Sequence, residues 1–421
     1  MPGVPGRGVA VSAPPSPTVL TGPDLSGVTV GHGTRPGPGG WDTRPVDVPV
    51  SGSCDSRFCS VRDEFVRNFS ERGEVGAGVC VIVDGRTTVD LVGGWTDGRR
   101  TRPWRPDTLV NFYSVGKALV ALLALRLVDQ GLIGLDTPVA SIWPEFAGSG
   151  KDAVTVRHAL CHQAGVPAIR RPLTNADLWE WDRMAGALAA SEPWFEPGTR
   201  HTYHTNTYGH LVGEIVHRVG GRTCGDALAS IARPLDADVW FGVPPGHHPR
   251  CADIVWNGST RVDVDFGALA GDELMTMLSY FNPAGYSSVG VVNTEAWRSA
   301  EVPSTNGHGT ARGVALLYAA LTDSPGLLSA GLLAEATAPQ SSGFCPVLGE
   351  DVTFGLGFTP TTARRPFGPN PGSFGHFGTG GAVGFADPAS GIAFGYVMND
   401  VIPRWQSTRN RALVDAVYRS L

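Results

Sequence analysis

Lysine is nearly missing from this sequence. Lys117 and Lys151 are the only two among 421 residues, although arginine is plentiful. Such usage fits a GC-rich coding bias, but it makes the placement of each lysine informative. The formal net charge of −6 leaves no basic footprint for nucleic acid and no polybasic membrane patch. Long apolar runs are lacking too: the longest, Ala118–Val128, is interrupted by Arg126 and is too short to span a bilayer. The opening "MPGVPGRGVAVSAPPSPTVL" has no sustained apolar segment and does not read as a signal peptide, so a cytoplasmic location is expected. Seven cysteines, an odd number scattered from Cys54 to Cys345, do not suggest a disulfide framework. No metal-ligand spacing occurs, and His247-His248 reads as a solvated Pro/Gly loop. A Gly-x-Ser-x-Gly elbow, a dinucleotide fingerprint and a complete P-loop are absent as well; "GSGKD" at 148–152 lacks the earlier glycine and the Ser/Thr. Neither metal nor cofactor is expected.

What is present has a clear order. Residues 1–45 are rich in Gly and Pro without apolar periodicity and read as a disordered leader; 46–421 then form one domain. Phe58, Val61, Phe65, Val66 and Phe69 recur at helical spacing, and two β-branched runs flank Asp84-Gly85, a strong hairpin signal. Thr155–Pro167, Asn206–Gly221 and His308–Leu321 fit amphipathic helices. The stretch "FGHFGTGGAVGFADPASGIAFGYVMND" reads as strand, turn, strand, with a closing helix from Arg409 to Arg419. The pattern predicts an α/β fold: an antiparallel sheet flanked by helices, built from the two ends of the chain (about 55–113 and 300–421). A mostly helical lobe (about 114–299) is inserted between them.

One lysine stands three residues after Ser114, at the mouth of the most apolar helix in "NFYSVGKALVALLALRL". Residues i and i+3 share a helix face, so hydroxyl and amine can meet. Serine is a weak nucleophile until a neighbour takes its proton. A lysine can do so when desolvation lowers its pKa, and the apolar run offers that. The helix start also aims backbone N–H groups at an anion forming beside the serine. The bland alternative is an N-capping serine beside a surface lysine.

Four ordered segments decide between these. "FYSVGKALVALLALRLVDQGLIGLDTPVASIWPEF" with "VTVRHALCHQAGVP", then "EPGTRHTYHTNTYGHLVGEIVHRVGG", "NGHGTARGVALLYAAL" and "GHFGTGGAVGFADPASGIAFGYVMN" resemble the serine β-lactamase-like and penicillin-binding-protein-like superfamily, in its class C-like branch of family VIII esterases and transacylases. The likeness runs from about Phe65 to the C-terminus. It implies Ser114 as acylated nucleophile, Lys117 as its partner and Tyr203 as second base, a tyrosinate beside a lysine ammonium being a usable base. It further implies an oxyanion hole from the N–H groups of Ser114 and Thr379, and a groove lined by His376, Phe377 and Gly378, with Asn306 and His204 nearby. Two positions depart from class C lactamases. Thr205 stands where they carry Asn two residues after the tyrosine, Asn206 following it, and His376 replaces the third-motif Lys that holds a substrate carboxylate. Both favour a neutral ester or thioester over a penicillin.

The expected function is therefore a serine hydrolase or acyltransferase acting on an ester, thioester or amide through an acyl-serine intermediate, a transacylase of natural-product biosynthesis being one role the resemblance implies. Its partners would be a small-molecule acyl donor and water, an amine or an alcohol as acceptor, with neither nucleic acid nor membrane. Competing readings are a β-lactamase or D-alanyl-D-alanine peptidase, and a catalytically silent binding protein of the same fold.

Overall fold

A computed structural model describes residues 48–256, 265–287, 289–402 and 406–421; the leader expected over 1–45 lies outside them. The strands, in chain order, are β1 (Val50–Cys54), β2 (Gly76–Val83), β3 (Arg86–Gly94), β4 (Val110–Asn111), β5 (Val239–Trp240) and β6 (His308–Gly309), followed by β7 (Ser341–Cys345), β8 (Glu350–Phe354), β9 (Thr359–Pro360), β10 (Phe374–Phe377), β11 (Val383–Asp387) and β12 (Ile392–Met398). Seven of them form one antiparallel sheet in the order β1-β3-β2-β12-β11-β10-β9. Its centre joins the two chain ends, with Val81 of β2 opposite Phe394 of β12. The predicted β2–β3 hairpin turns at Asp84 and Gly85, both with positive φ (49° and 74°), the geometry that Asp-Gly supplies at little cost. The last segment holds three strands rather than two, because the chain reverses at Gly380-Gly381 as well as after Asp387.

Helices cover the sheet. The helix Ala311–Thr322 packs on β12, β2 and β11, and α1 (Cys59–Glu71) packs on the closing helix Thr408–Arg419. Between sheet and helical region runs α2 (Val115–Asp129), touching β10 on one side and the helix Tyr208–Gly220 on the other. Ala118 through Leu125 offers no polar face, and all eight residues are buried; a helix apolar all round must be enclosed all round. Among the described residues no helix is long and apolar enough to cross a membrane. All seven cysteines are unpaired.

Three local expectations need correction. The helix predicted over Thr155–Pro167 covers only Val156–Leu160, because the chain leaves helical geometry at His162 and Gly165 (φ 66° and 79°). The helix expected from His308 starts at Ala311, where Thr310 caps it by accepting the Gly313 N–H at 2.9 Å; His308 and Gly309 instead form β6. His247-His248 is not a solvated loop: Pro245–Arg250 is a short 3-10 helix, and buried His248 hydrogen-bonds through Nε2 to the Val243 carbonyl at 3.0 Å.

Candidate active site

The approach to α2 is bent on purpose. Tyr113 adopts a left-handed conformation (φ 49°), uncommon for a residue with a side chain and costing about 1 kcal/mol or more. The Asn111 side chain secures it, accepting the Tyr113 N–H at 3.0 Å. The turn puts Ser114 at the N-cap of α2, yet its hydroxyl caps nothing. That hydroxyl lies 3.1 Å from Lys117 Nζ. With Ser114 only 6% and Lys117 0% exposed, the capping-serine and surface-lysine alternative fails on both counts.

Lys117 sits in a cage of backbone. Its amine donates to the carbonyls of Thr205 at 2.6 Å and Ser304 at 2.9 Å, and it lies 4.9 Å from the centre of the Tyr203 ring. Ser304 can come this close because residue 116 is glycine: a Cβ there would lie 2.2 Å from the Pro303 carbonyl oxygen. Burial pushes the amine well below the ordinary lysine range. With two N–H bonds directed at carbonyls, a neutral amine keeps its lone pair for the Ser114 hydroxyl.

Tyr203 arrives from the segment before the helix Tyr208–Gly220 and is 1% exposed. Burial raises its phenol above the ordinary tyrosine range, and the Ser114 hydroxyl is the largest opposing influence. The expected tyrosinate–ammonium pair is therefore disfavoured: both groups are driven to their uncharged forms, since burial penalises charge on each. The ring is stacked on Phe354 (5.8 Å, 13°) and His376 (6.3 Å, 28°). Its N–H donates to Cys345 Sγ at 3.2 Å, so the β7–β8 hairpin, which carries Cys345 and Phe354, walls this side. Arg365, ion-paired with Glu350 of that hairpin, adds a cation acting on Tyr203 and His376.

The remaining sequence candidates divide. β9 pairs only with Phe374 and Gly375, so the strand segment carrying His376 extends past it. His376 stacks on Tyr203, its Nδ1 at 2.7 Å from the Phe377 carbonyl, and burial pushes its imidazole down to about 3. Gly378 touches the segment that leads to Ser114: a Cβ there would lie 2.3 Å from the Phe112 carbonyl oxygen. Half-buried Thr379 follows directly. Phe377 points the other way, stacked in the core on Phe367 (4.5 Å, 10°), because successive strand residues face opposite sides. His204 and Asn306 are not brought to the groove. His204 is enclosed, with Nδ1 at 2.6 Å from the Thr202 carbonyl and Nε2 accepting the Val166 N–H at 3.2 Å. Asn306 is enclosed too, donating to the carbonyls of Trp297 and Ala300 and accepting the Val302 N–H. It shapes the loop that presents the Ser304 carbonyl. Asn206 is likewise occupied by Ser279 and Thr305.

Sequence reasoning missed the Thr205 and Ser304 carbonyls, Cys345, Phe354, Arg365 and His162. Away from the site, ligand atoms of His217, Cys224 and Glu301 lie within 4.8 Å of one another. There the Cys224 N–H donates to His217 Nε2 and the Gly225 N–H to Glu301, so two of the three already serve the start of the helix Cys224–Ala232, whose positive end disfavours a cation.

An antiparallel sheet flanked by helices, with a Ser-x-x-Lys pair opening a buried helix, defines the β-lactamase and transpeptidase-like class. The Beta-lactamase family profile matches residues 62–418, and the chain belongs to that family. It is 32% identical over 374 residues to the Esterase/beta-lactamase LipL of Mycobacterium tuberculosis, covering 84% of this chain and 83% of that protein. Among solved structures it resembles a family VIII carboxylesterase (TM-score 0.82, 37% identity, 89% of this chain and 100% of the other). A penicillin-binding protein homologue from Caulobacter crescentus is also similar (TM-score 0.81, 38% identity, again 89% and 100%).

Proposed function

We propose that the protein is a serine hydrolase or acyltransferase acting on esters or thioesters through an acyl-enzyme on Ser114. The observation that carries this reading is the contact of 3.1 Å between the Ser114 hydroxyl and a fully buried Lys117 amine. The esterase names among its relatives agree. In acylation Ser114 Oγ attacks the acyl carbonyl while its proton moves to the Lys117 lone pair. Tyr203, whose phenol the Ser114 hydroxyl influences, then gives its proton to the leaving alcohol or thiol and takes up the one that Lys117 received, so that both groups end uncharged. The N–H groups of Ser114 and Thr379 hold the oxyanion, donors of this kind being worth roughly 3–4 kcal/mol each. In deacylation the same groups run in reverse, taking the proton from water or from an acceptor amine or alcohol. His376, enclosed and neutral, offers no fixed cation for a substrate carboxylate. That favours uncharged acyl donors over penicillins.

The test is a stopped-flow assay with p-nitrophenyl butyrate. A burst of nitrophenolate matching the enzyme concentration, lost in Ser114→Ala, is the expected result; an undiminished rate in that variant removes the reading. Nitrocefin turnover exceeding ester turnover would favour a lactamase instead.

A further inference from the structure

His162 lies outside the residues that react, yet it touches the Tyr203 segment three times. Its carbonyl accepts the Thr202 N–H at 3.0 Å. Its ring Nδ1 accepts the His204 N–H at 3.1 Å. Its imidazole lies 4.9 Å, centre to centre, from the Tyr203 ring. Backbone bonds on either side of Tyr203 thus end on one residue, whose ring also braces the phenol. The far side of that imidazole rests on Phe354 (4.4 Å) and Tyr208 (4.7 Å), so it has little room to move. The backbone of His162 is left-handed (φ 66°), which turns ring and carbonyl toward the same segment, a local strain of the kind that persists where surrounding structure imposes it.

We propose that His162 is a positioning residue that clamps Tyr203 at the distance from Ser114 that proton transfer requires. This deepens the acyl-serine reading and rests on it. Nδ1 must be unprotonated to accept an N–H, so His162 serves as a neutral imidazole with its proton on Nε2. Its role is that of a hydrogen-bond acceptor rather than a base. Misplacing a proton-transfer group by about 1 Å costs on the order of 100-fold in rate, and that loss belongs in kcat because substrate does not bind through His162.

Three variants separate acceptor, ring and backbone. Asn at 162 supplies an oxygen where Nδ1 stands and tolerates the left-handed backbone; Gly supplies the backbone alone; Phe supplies the ring alone. Rates with p-nitrophenyl butyrate are normalised to the fraction of enzyme that a fluorophosphonate labels at completion, which removes misfolded protein from the count. The expected result is kcat about 100-fold down in His162→Gly and His162→Phe with KM within about threefold, and largely restored in His162→Asn. Wild-type kcat in both His162→Gly and His162→Phe overturns the proposal, and so does an equal loss in all three, which would mark a packing role only. Ser114→Ala runs alongside. Should it retain turnover, the acyl-serine reading itself fails, an outcome distinct from failure of the clamp.

Discussion

The two lysines of this chain occupy surroundings that match almost contact for contact. Lys151 is fully buried, donates to the carbonyls of Gly148 at 2.7 Å and Ser191 at 2.6 Å, and lies 5.2 Å from the centre of the Phe146 ring. Lys117 is fully buried, donates to two carbonyls at 2.6 and 2.9 Å, and lies 4.9 Å from the centre of the Tyr203 ring. Lys151 lies nearer the surface, and the remaining partners differ. Asp152 and Glu192 act on Lys151 and partly offset the lowering that burial causes. Lys117 faces the Ser114 hydroxyl, and burial lowers its amine with no such offset. A buried, caged lysine is therefore not by itself a sign of catalysis. In the proposed chemistry a serine hydroxyl stands where the carboxylates would, leaving the amine a proton to take instead of a charge to hold.

That contrast can be broken by substitution. Lys117→Met should lower kcat/KM for p-nitrophenyl butyrate by about 10³–10⁴-fold, the range for losing a general base, with the fold intact by circular dichroism. Tyr203→Phe should cost about 10²–10³-fold in kcat, since the ring's stacking survives and only the proton relay is lost. Lys151→Met should share with Lys117→Met a loss of stability, since each lysine holds two carbonyls, but not the loss of rate. It strands two buried carbonyls at about 1–3 kcal/mol each, so thermal unfolding moves down while kcat per folded enzyme stays within about twofold. Equal losses of activity in both lysine variants would erase the distinction.

A separate effect is expected in the pH dependence of stability. Burial lowers His204 to about 4, and His376, His308 and His210 to about 3, whereas an unfolded chain protonates histidine near 6.5. The folded state therefore binds fewer protons. Stability from these groups is complete above about pH 6.5 and is lost as pH falls toward the folded values, by ~1.4 kcal/mol per pH unit for each histidine. Urea unfolding at pH 7, 6 and 5 measures the slope. A flat profile would show that these rings are not held neutral.

What could be read in the sequence was local. Ser114 and Lys117 are three residues apart, the β2–β3 turn carries its Asp-Gly, and Tyr203 lies in a segment resembling a known one. The rest was hidden for identifiable reasons. The oxygens that grip Lys117 belong to the backbone of Thr205 and Ser304 and leave no side-chain signature. His162 sits in "HALCHQAGVP", where a helical reading places it on a helix face, and only the left-handed turn brings it against the Tyr203 segment. His204 and Asn306 misled in the opposite sense, being polar side chains beside catalytic-looking segments that spend their hydrogen bonds on backbone. For Phe377 the period of two along β10 already held the answer, since His376 facing the site sends its neighbour into the core.

The proposed chemistry depends on Lys117 standing ready as a neutral amine. A chain with two lysines allows this to be observed directly: lysine labelled with ¹⁵N at Nζ gives two signals, and Lys151→Met assigns them. The Lys117 signal should titrate at lower pH than both free lysine and Lys151. A Lys117 signal that keeps its ammonium shift up to the pH at which free lysine titrates would contradict it.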